Sequence, residues 1–395
     1  MQMIIDNIKF LKGDFNELLL LENNKNLAIF DESIIEYLDL LSKSIFKNPK
    51  SVLYPDLITF AFWIRKSSIY SIRSRYLGQF RIGKGTVFHI APSNVPINFA
   101  YSLVTGLLSG NSNIVRLSSK NFEQINILCD IINKLDYHPI SNYFVLIQYE
   151  HNKEITDYLS RLCDTRIIWG GDNTIEKIRE SRMKSRANEI TFADRDSIAI
   201  INAEKYLELS NKEQLAKSFF NDTYLTDQNA CTSPKIIIWD GIRIAEAQEL
   251  FWNHLYDYVI KNYELPTSKC VEKYANSLIF STVQEDLKLK RYGNYIYIID
   301  VENIPVGLDE YYGNSGYFIQ YSIKNDLSEI SHLMNDKIQT VAYFGYEIDR
   351  LKSLILNSSI KGIDRIVPIG KTMDFDMSWD GYDLIISTSR IIDCK

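Results

Sequence analysis

Two rhythms of hydrophobic and polar residues run along the chain. Near its beginning Ile34, Ile35, Tyr37, Leu38, Leu41 and Ile45 recur at helical spacing, behind an Asp31-Glu32-Ser33 stretch able to cap a helix. A second helix is predicted from Pro55 to about Arg75, because proline suits a first helical turn. From Thr86 onward, short apolar runs alternate with longer amphipathic stretches. Thr86-Ile90, Asn113-Leu117, Tyr143-Ile147, Thr165-Trp169 and Ser197-Ile201 read as strands. Helical patterns fill Pro96 to Ser109, Asn121 to Leu135 and Lys153 to Leu162 between the first four.

The second half repeats the theme. A helix is predicted from Asn211 to Thr223, a strand at Lys235-Trp239 and a long helix from Ile242 to Asn262. Further strands are predicted at Ser277-Ser281, Tyr295-Asp300, Gln339-Phe344 and Asp383-Ser387. Such alternation implies right-handed crossovers and an α/β fold with a doubly wound parallel sheet. Ligands of these sheets bind at the carboxyl ends of the strands. Without a repeat, a low-complexity tract or a long linker, two interleaved α/β domains are expected rather than two beads on a string.

Composition narrows the function. The chain has 395 residues, 46% of them hydrophobic, 24% charged, with a formal net charge of −6. This is ordinary globular composition, and the acidic balance argues against nucleic acid as a partner. No signal peptide is read at the beginning. Residues 85–115 carry no Asp, Glu, Lys or Arg, which is long enough to span a bilayer. Pro92, Pro96, Asn94, Asn98, Gly106, Gly110, Asn111 and Asn113 interrupt that stretch, so it reads as strand, turn, helix and strand inside a soluble, cytoplasmic protein with no membrane span. The cysteines are Cys129, Cys163, Cys231, Cys270 and Cys394. Their odd number and the lack of any CxxC pair exclude zinc-site spacing and a disulfide framework, and no metal is expected.

Four features could carry chemistry. Asp227-Gln228-Asn229-Ala230-Cys231-Thr232-Ser233-Pro234 is a polar loop between a predicted helix and strand, a setting in which a thiol can be nucleophilic; the alternative is a buried structural cysteine. In His89-Ile90-Ala91-Pro92-Ser93-Asn94-Val95-Pro96 a strand ends and a helix starts, so Asn94 either aims its amide at a developing oxyanion or caps the helix. At Asn113-Ile114-Val115-Arg116-Leu117-Ser118-Ser119-Lys120 a second strand ends where adenosine ribose is usually read; Arg116 is either part of that reading or a snorkelling surface side chain. In Trp169-Gly170-Gly171-Asp172 a strand meets two glycines and a helix, as at a pyrophosphate site or simply a turn.

In this order, the four features resemble the aldehyde dehydrogenase superfamily, and more closely its LuxC-type acyl-CoA reductase branch. A C-terminal run, Gly362-Ile363-Asp364-Arg365-Ile366-Val367-Pro368-Ile369-Gly370-Lys371 followed by Trp379-Asp380-Gly381, adds to the likeness, which covers roughly residues 80–390. The resemblance implies an aldehyde-dehydrogenase-like fold. Residues 1–80 would be a helical part of the cofactor domain, 81–225 the dinucleotide-binding domain, 226–364 the catalytic domain and 365–395 a return segment. Cys231 matches the family's nucleophile. Asn94 matches the amide that, with the Cys231 N–H, forms the oxyanion hole. Ala91, Pro92, Ser93, Arg116, Ser118, Ser119, Lys120, Gly170 and Gly171 fall at cofactor-binding positions.

Two departures stand out. Thr191 occupies the place of the glutamate that activates water in hydrolytic relatives, with Glu189 two residues away, and Ile175 replaces the last glycine of the pyrophosphate turn. The implied activity is reduction of an acyl thioester to an aldehyde through a Cys231 acyl-enzyme. NADPH is favoured over NADH because no acid precedes Glu123 after Arg116. Alternatives are an aldehyde dehydrogenase making an acid, or an inactive homologue that binds an acyl-protein synthetase. Expected partners are acyl-CoA or an acyl-protein thioester, such a synthetase, and other copies of the chain in a homo-oligomer.

Overall fold

The computed structural model describes residues 7–135, 137–283, 287–303, 312–333, 335–357 and 360–395. The chain before Asp194, with Phe375–Lys395, makes one compact unit, and Asp194–Asp374 makes a second. The units therefore part at Ala193/Asp194 and Asp374/Phe375.

In the first unit the strands are β1 (Lys9–Lys12), β2 (Arg81–Gly83), β3 (Thr86–Ile90), β4 (Ser112–Arg116), β5 (Phe144–Gln148), β6 (Thr165–Trp169) and β7 (Asn188–Phe192). β2 pairs with the returning Ser389–Ile391. The others form one sheet ordered β1-β5-β4-β3-β6-β7, parallel except for β1. The chain starts at β3, steps outward to β4 and β5, then returns to the other side for β6 and β7. This is the doubly wound order expected, and it places the topological switch between β3 and β6. β3 is buried along its whole length, as a central parallel strand with both faces covered must be. The predicted stripe of the helix Glu32–Lys47 is buried, and Asp31 caps it by accepting from the Ser33 N–H at 3.0 Å. The predicted second helix is instead two, Pro55–Trp63 and Lys66–Arg73, broken where Arg65 turns extended at ψ 147°.

In the second unit β8 (Asp196–Asn202), β9 (Pro234–Asp240), β10 (Lys288–Tyr292), β11 (Ile296–Val301), β12 (Tyr317–Ser322), β13 (Ile338–Phe344) and β14 (Arg365–Pro368) form a sheet ordered β10-β11-β12-β9-β8-β13-β14. Only β10 runs antiparallel to its neighbour. Ile198, Ile200, Ile236 and Ile238 line one face, while Ala199, Ile201, Ile237 and Trp239 line the other, the alternation a pleated sheet imposes.

Two predicted strands are helical. Ser277-Ser281 lies inside the helix Thr267–Val283. There Lys273, Ser277 and Phe280 are buried while Leu278 and Ile279 are exposed, so burial follows helical spacing and not the apolar run itself. At Asp383-Ser387, Asp383 instead caps the short helix Leu384–Thr388 by accepting from the Ile386 N–H at 2.9 Å. Among the described residues no helix is long and apolar enough to cross a membrane.

Candidate active site

The first unit brings three of the four motifs to one end of its sheet. Ala91–Asn94 leave the carboxyl end of β3, Arg116–Lys120 that of β4, and Gly170–Gly171 that of β6. The β3 and β6 segments flank the topological switch, the place where open α/β sheets bind ligands. Ala91 stays tied to β4 by donating its N–H to the Arg116 carbonyl at 3.0 Å. Ser93 and Asn94 are exposed. The following helix is Asn98–Leu108, with Ile97 at its N-cap and no side chain capping it, so Asn94 is not the cap residue.

His89, inside the same motif, is a structural group. Its Nδ1 lies 2.7 Å from Ser102 Oγ and its Nε2 2.9 Å from Asn113 Oδ1. Full burial lowers its pKa to about 4, so it stays a neutral imidazole at physiological pH.

Arg116 is half-buried and stacks over the Tyr149 ring at 4.4 Å, donating from Nη2 to the Tyr149 carbonyl at 3.3 Å. It is thus fixed rather than snorkelling, and its Nε is buried without a hydrogen-bond partner in the protein. Ser118 Oγ accepts from the Lys120 N–H at 3.1 Å, and Ser119 and Lys120 are exposed. Gly171 is the N-cap of Asp172–Arg179, with Asp172 in the first turn. Ile175 is 4% exposed and belongs to the core cluster of Ile155 and Ile168.

Thr191 lies on β7 opposite Ile168. Glu189, on the same face by strand alternation, is bound by Arg166, whose Nε donates at 2.9 Å, and by Arg179 Nε at 2.7 Å. Both of its oxygens are thus engaged by guanidinium groups.

In the second unit Cys231 sits on a turn before the amino end of β9 and is half-buried. The turn is built from unusual backbone: Asp227 and Gln228 have φ of 51° and 59°. Polar ties hold it. Ser197 Oγ donates to the Cys231 carbonyl at 2.7 Å, the Ser233 N–H to the Ala230 carbonyl at 2.9 Å, and Thr232 Oγ1 to Met373 Sδ at 3.3 Å. Gln228 is fully buried and all four of its side-chain hydrogen-bond positions are used. Its Nε2 donates to the carbonyls of Pro234 and Tyr317 at 2.9 and 3.0 Å, and its Oε1 accepts from the N–H groups of Gly316 and Tyr317 at 3.0 and 3.1 Å. Gly316 has φ +89°, and a Cβ there would lie 2.2 Å from the Tyr295 carbonyl oxygen, so only glycine fits beside this cage. Lys235 Nζ donates to the carbonyls of Gln228 and Gly313 at 2.6 and 3.0 Å and to Asn314 Oδ1. Gln228, Lys235 and Ser197 were not singled out in the sequence, although Gln228 and Lys235 bracket Cys231 within eight positions. By contrast, burial pushes the Cys129 and Cys163 thiols up to about 12, as inert core cysteines.

The profile of the family described as Acyl-CoA reductase (LuxC) matches residues 73–297, more than half of the chain, a span that includes Asn94 and Cys231. The chain belongs to this family. Curated relatives agree. The long-chain acyl-protein thioester reductase of Photobacterium phosphoreum is 24% identical over 296 residues, covering 73% of this chain and 57% of its own length. The protein of the same name from Vibrio harveyi is 24% identical, covering 73% and 59%. The chain therefore matches under two thirds of these relatives' length. Solved aldehyde dehydrogenases share its fold: a salicylaldehyde dehydrogenase from Pseudomonas putida G7, crystallised with salicylaldehyde, superposes with a TM-score of 0.67 at 13% identity, over 95% of this chain and 87% of that one.

Proposed function

We propose that the protein reduces an acyl thioester, presented on coenzyme A or on a protein, to the aldehyde. The observation that carries this reading is the family match across 73–297, a span in which both the Asn94 and the Cys231 motifs fall. The Cys231 thiolate attacks the thioester carbonyl, and the tetrahedral species expels the donor's thiolate, leaving an acyl-enzyme. The Asn94 amide and the Cys231 N–H stabilise the oxyanion. A nicotinamide dinucleotide supplies the hydride when bound. The resulting hemithioacetal anion collapses, releasing aldehyde and the Cys231 thiolate. Ala91–Ser93, Arg116–Lys120 and Gly170–Gly171 would hold the cofactor: they leave the carboxyl ends of β3, β4 and β6, of which β3 and β6 flank the switch point, and the Arg116 Nε donor has no partner in the protein.

Thr191 in place of a water-activating glutamate, with Glu189 held by two arginines, favours reduction over oxidation to an acid. The test is a panel of acyl-CoAs scored for NADPH oxidation and for trapped aldehyde. Acid as the product from added aldehyde, with no thioester reduction, overturns the reading.

A preference for NADPH over NADH follows from the β4 end. Arg116 and Lys120 stand there with two serines and no acid before Glu123, a set able to bind a 2′-phosphate by charge-assisted hydrogen bonds. The ratio of kcat/KM for NADPH over NADH should fall about tenfold or more in Arg116→Ala or Lys120→Ala, the worth of one hydrogen bond to a charged group. Equal use of both cofactors by the wild type refutes it.

A further inference from the structure

We infer that Lys235 is a positioning residue for the nucleophile: its ammonium and the Gln228 carboxamide together form a saturated hydrogen-bond cage that fixes the turn carrying Cys231. The inference rests on reading Cys231 as the acylated thiol.

The stoichiometry is the first argument. An ammonium has three N–H donors and Lys235 has three acceptors, the Gln228 carbonyl, the Gly313 carbonyl and Asn314 Oδ1. The Gln228 side chain is equally complete, tying Pro234 to Gly316 and Tyr317. The two residues therefore clamp both ends of the Cys231 turn to the Gly313–Tyr317 segment. The second argument is backbone cost. Two successive left-handed non-glycine residues, Asp227 and Gln228, persist only where surroundings over-determine them. The third is chemical. All three Lys235 acceptors are neutral, so a buried cation is kept here without a carboxylate in its hydrogen-bond shell. The charged groups that face it are Asp196 at the start of β8, and Lys269 and Glu272 on the helix Thr267–Val283; those two pair with each other at 2.6 Å. Lys273, on the same helix, donates to the Ser315 carbonyl at 2.6 Å and braces the segment from its other side.

Burial lowers the Lys235 pKa to about 8 from its ordinary value of 10.5. Losing the proton removes one donor from a three-acceptor cage. Between those values the unfolded chain holds the proton and the native chain does not, so the contribution of Lys235 to stability rises with pH across that window. A lysine with only a structural role would make activity follow stability upward. A positioning lysine makes acylation fall there while the fold does not weaken.

The experiment measures single-turnover acylation of the full chain by an acyl-CoA, from neutral pH to about 10, beside thermal melting and iodoacetamide alkylation of Cys231. The wild type should show an alkaline loss of acylation with a midpoint near 8. Asn314→Asp sets a carboxylate against the ammonium and should move that midpoint upward by about one unit or more. Lys235→Met should lower acylation about a hundredfold, the usual cost of misplacing a reacting group by about 1 Å, and abolish the alkaline limb. An alkaline limb absent from the wild type, or identical in all three proteins, overturns the inference. If Lys235→Met does not fold, the Asn314→Asp shift decides alone. If the wild type never acylates, the functional reading fails by itself, and the cage is judged on whether the alkylation profile shifts in the same way.

Discussion

Replacing Cys231 with alanine should abolish acyl-enzyme formation, with turnover falling on the order of a millionfold, as when a covalent hydrolase loses its nucleophile. The reason is specific to the site. Cys231 is half-buried on a polar turn, whereas Cys129 and Cys163 are core thiols held protonated by burial. Incubation with labelled acyl-CoA, denaturation and peptide mapping should place the adduct on Cys231. Alanine at Cys129 or Cys163 should leave acylation intact and cost about 0.5–3 kcal/mol in urea unfolding. Alanine at Cys270 or Cys394, half-buried and exposed, should change neither. Acylation that survives Cys231→Ala removes the covalent mechanism.

Where burial was two-sided or periodic, the sequence was readable. β3, β4, β5 and β6 are buried along nearly their whole lengths around two or more adjacent apolar residues, because parallel strands are covered on both faces, and their order along the chain set the α/β class. β12 escaped notice for the opposite reason. Gln320 sits in its middle, 4% exposed, with Oε1 accepting from both Trp239 and Trp252 Nε1, so a buried polar network takes a position where pattern reading looks for an apolar residue. β7 was missed because Glu189 interrupts it, a charge tolerable there only through its two arginines. The short runs Ser277-Ser281 and Asp383-Ser387 misled because a few apolar residues in a row do not separate strand from helix.

The sequence offered candidates for the reacting groups and none for their supports. Loop position and motif order pointed to Cys231, Asn94 and the β4 and β6 ends. The groups that hold the Cys231 turn, Gln228, Lys235 and Ser197, act through carbonyls and N–H groups of residues far along the chain, such as Tyr317 and Gly313. No spacing rule reports such contacts, because they exist only once β8, β9 and β12 are adjacent in the sheet.

Asn94→Ala should slow acylation about a hundred- to a thousandfold, the usual loss when one oxyanion donor is removed. The competing role, a helix cap, would cost about 1 kcal/mol of stability and leave kinetics alone. The helix after β3 begins at Asn98 with Ile97 at the N-cap and no side-chain cap, so Asn94 does not hold that position, and its side chain is exposed at the carboxyl end of β3. Surface substitutions of this kind usually change stability by about 0.5 kcal/mol or less, so melting should barely move. Asn94→Asp separates the roles further. Aspartate is nearly isosteric and a good cap, but it cannot donate from an ionised carboxylate and repels a developing oxyanion. It should acylate at least as slowly as the alanine variant. Single-turnover acylation, cofactor binding and melting for both variants give the answer: slow acylation with unchanged cofactor affinity supports the oxyanion role. Restored acylation in Asn94→Asp, or a melting loss without a kinetic one, returns Asn94 to a structural role.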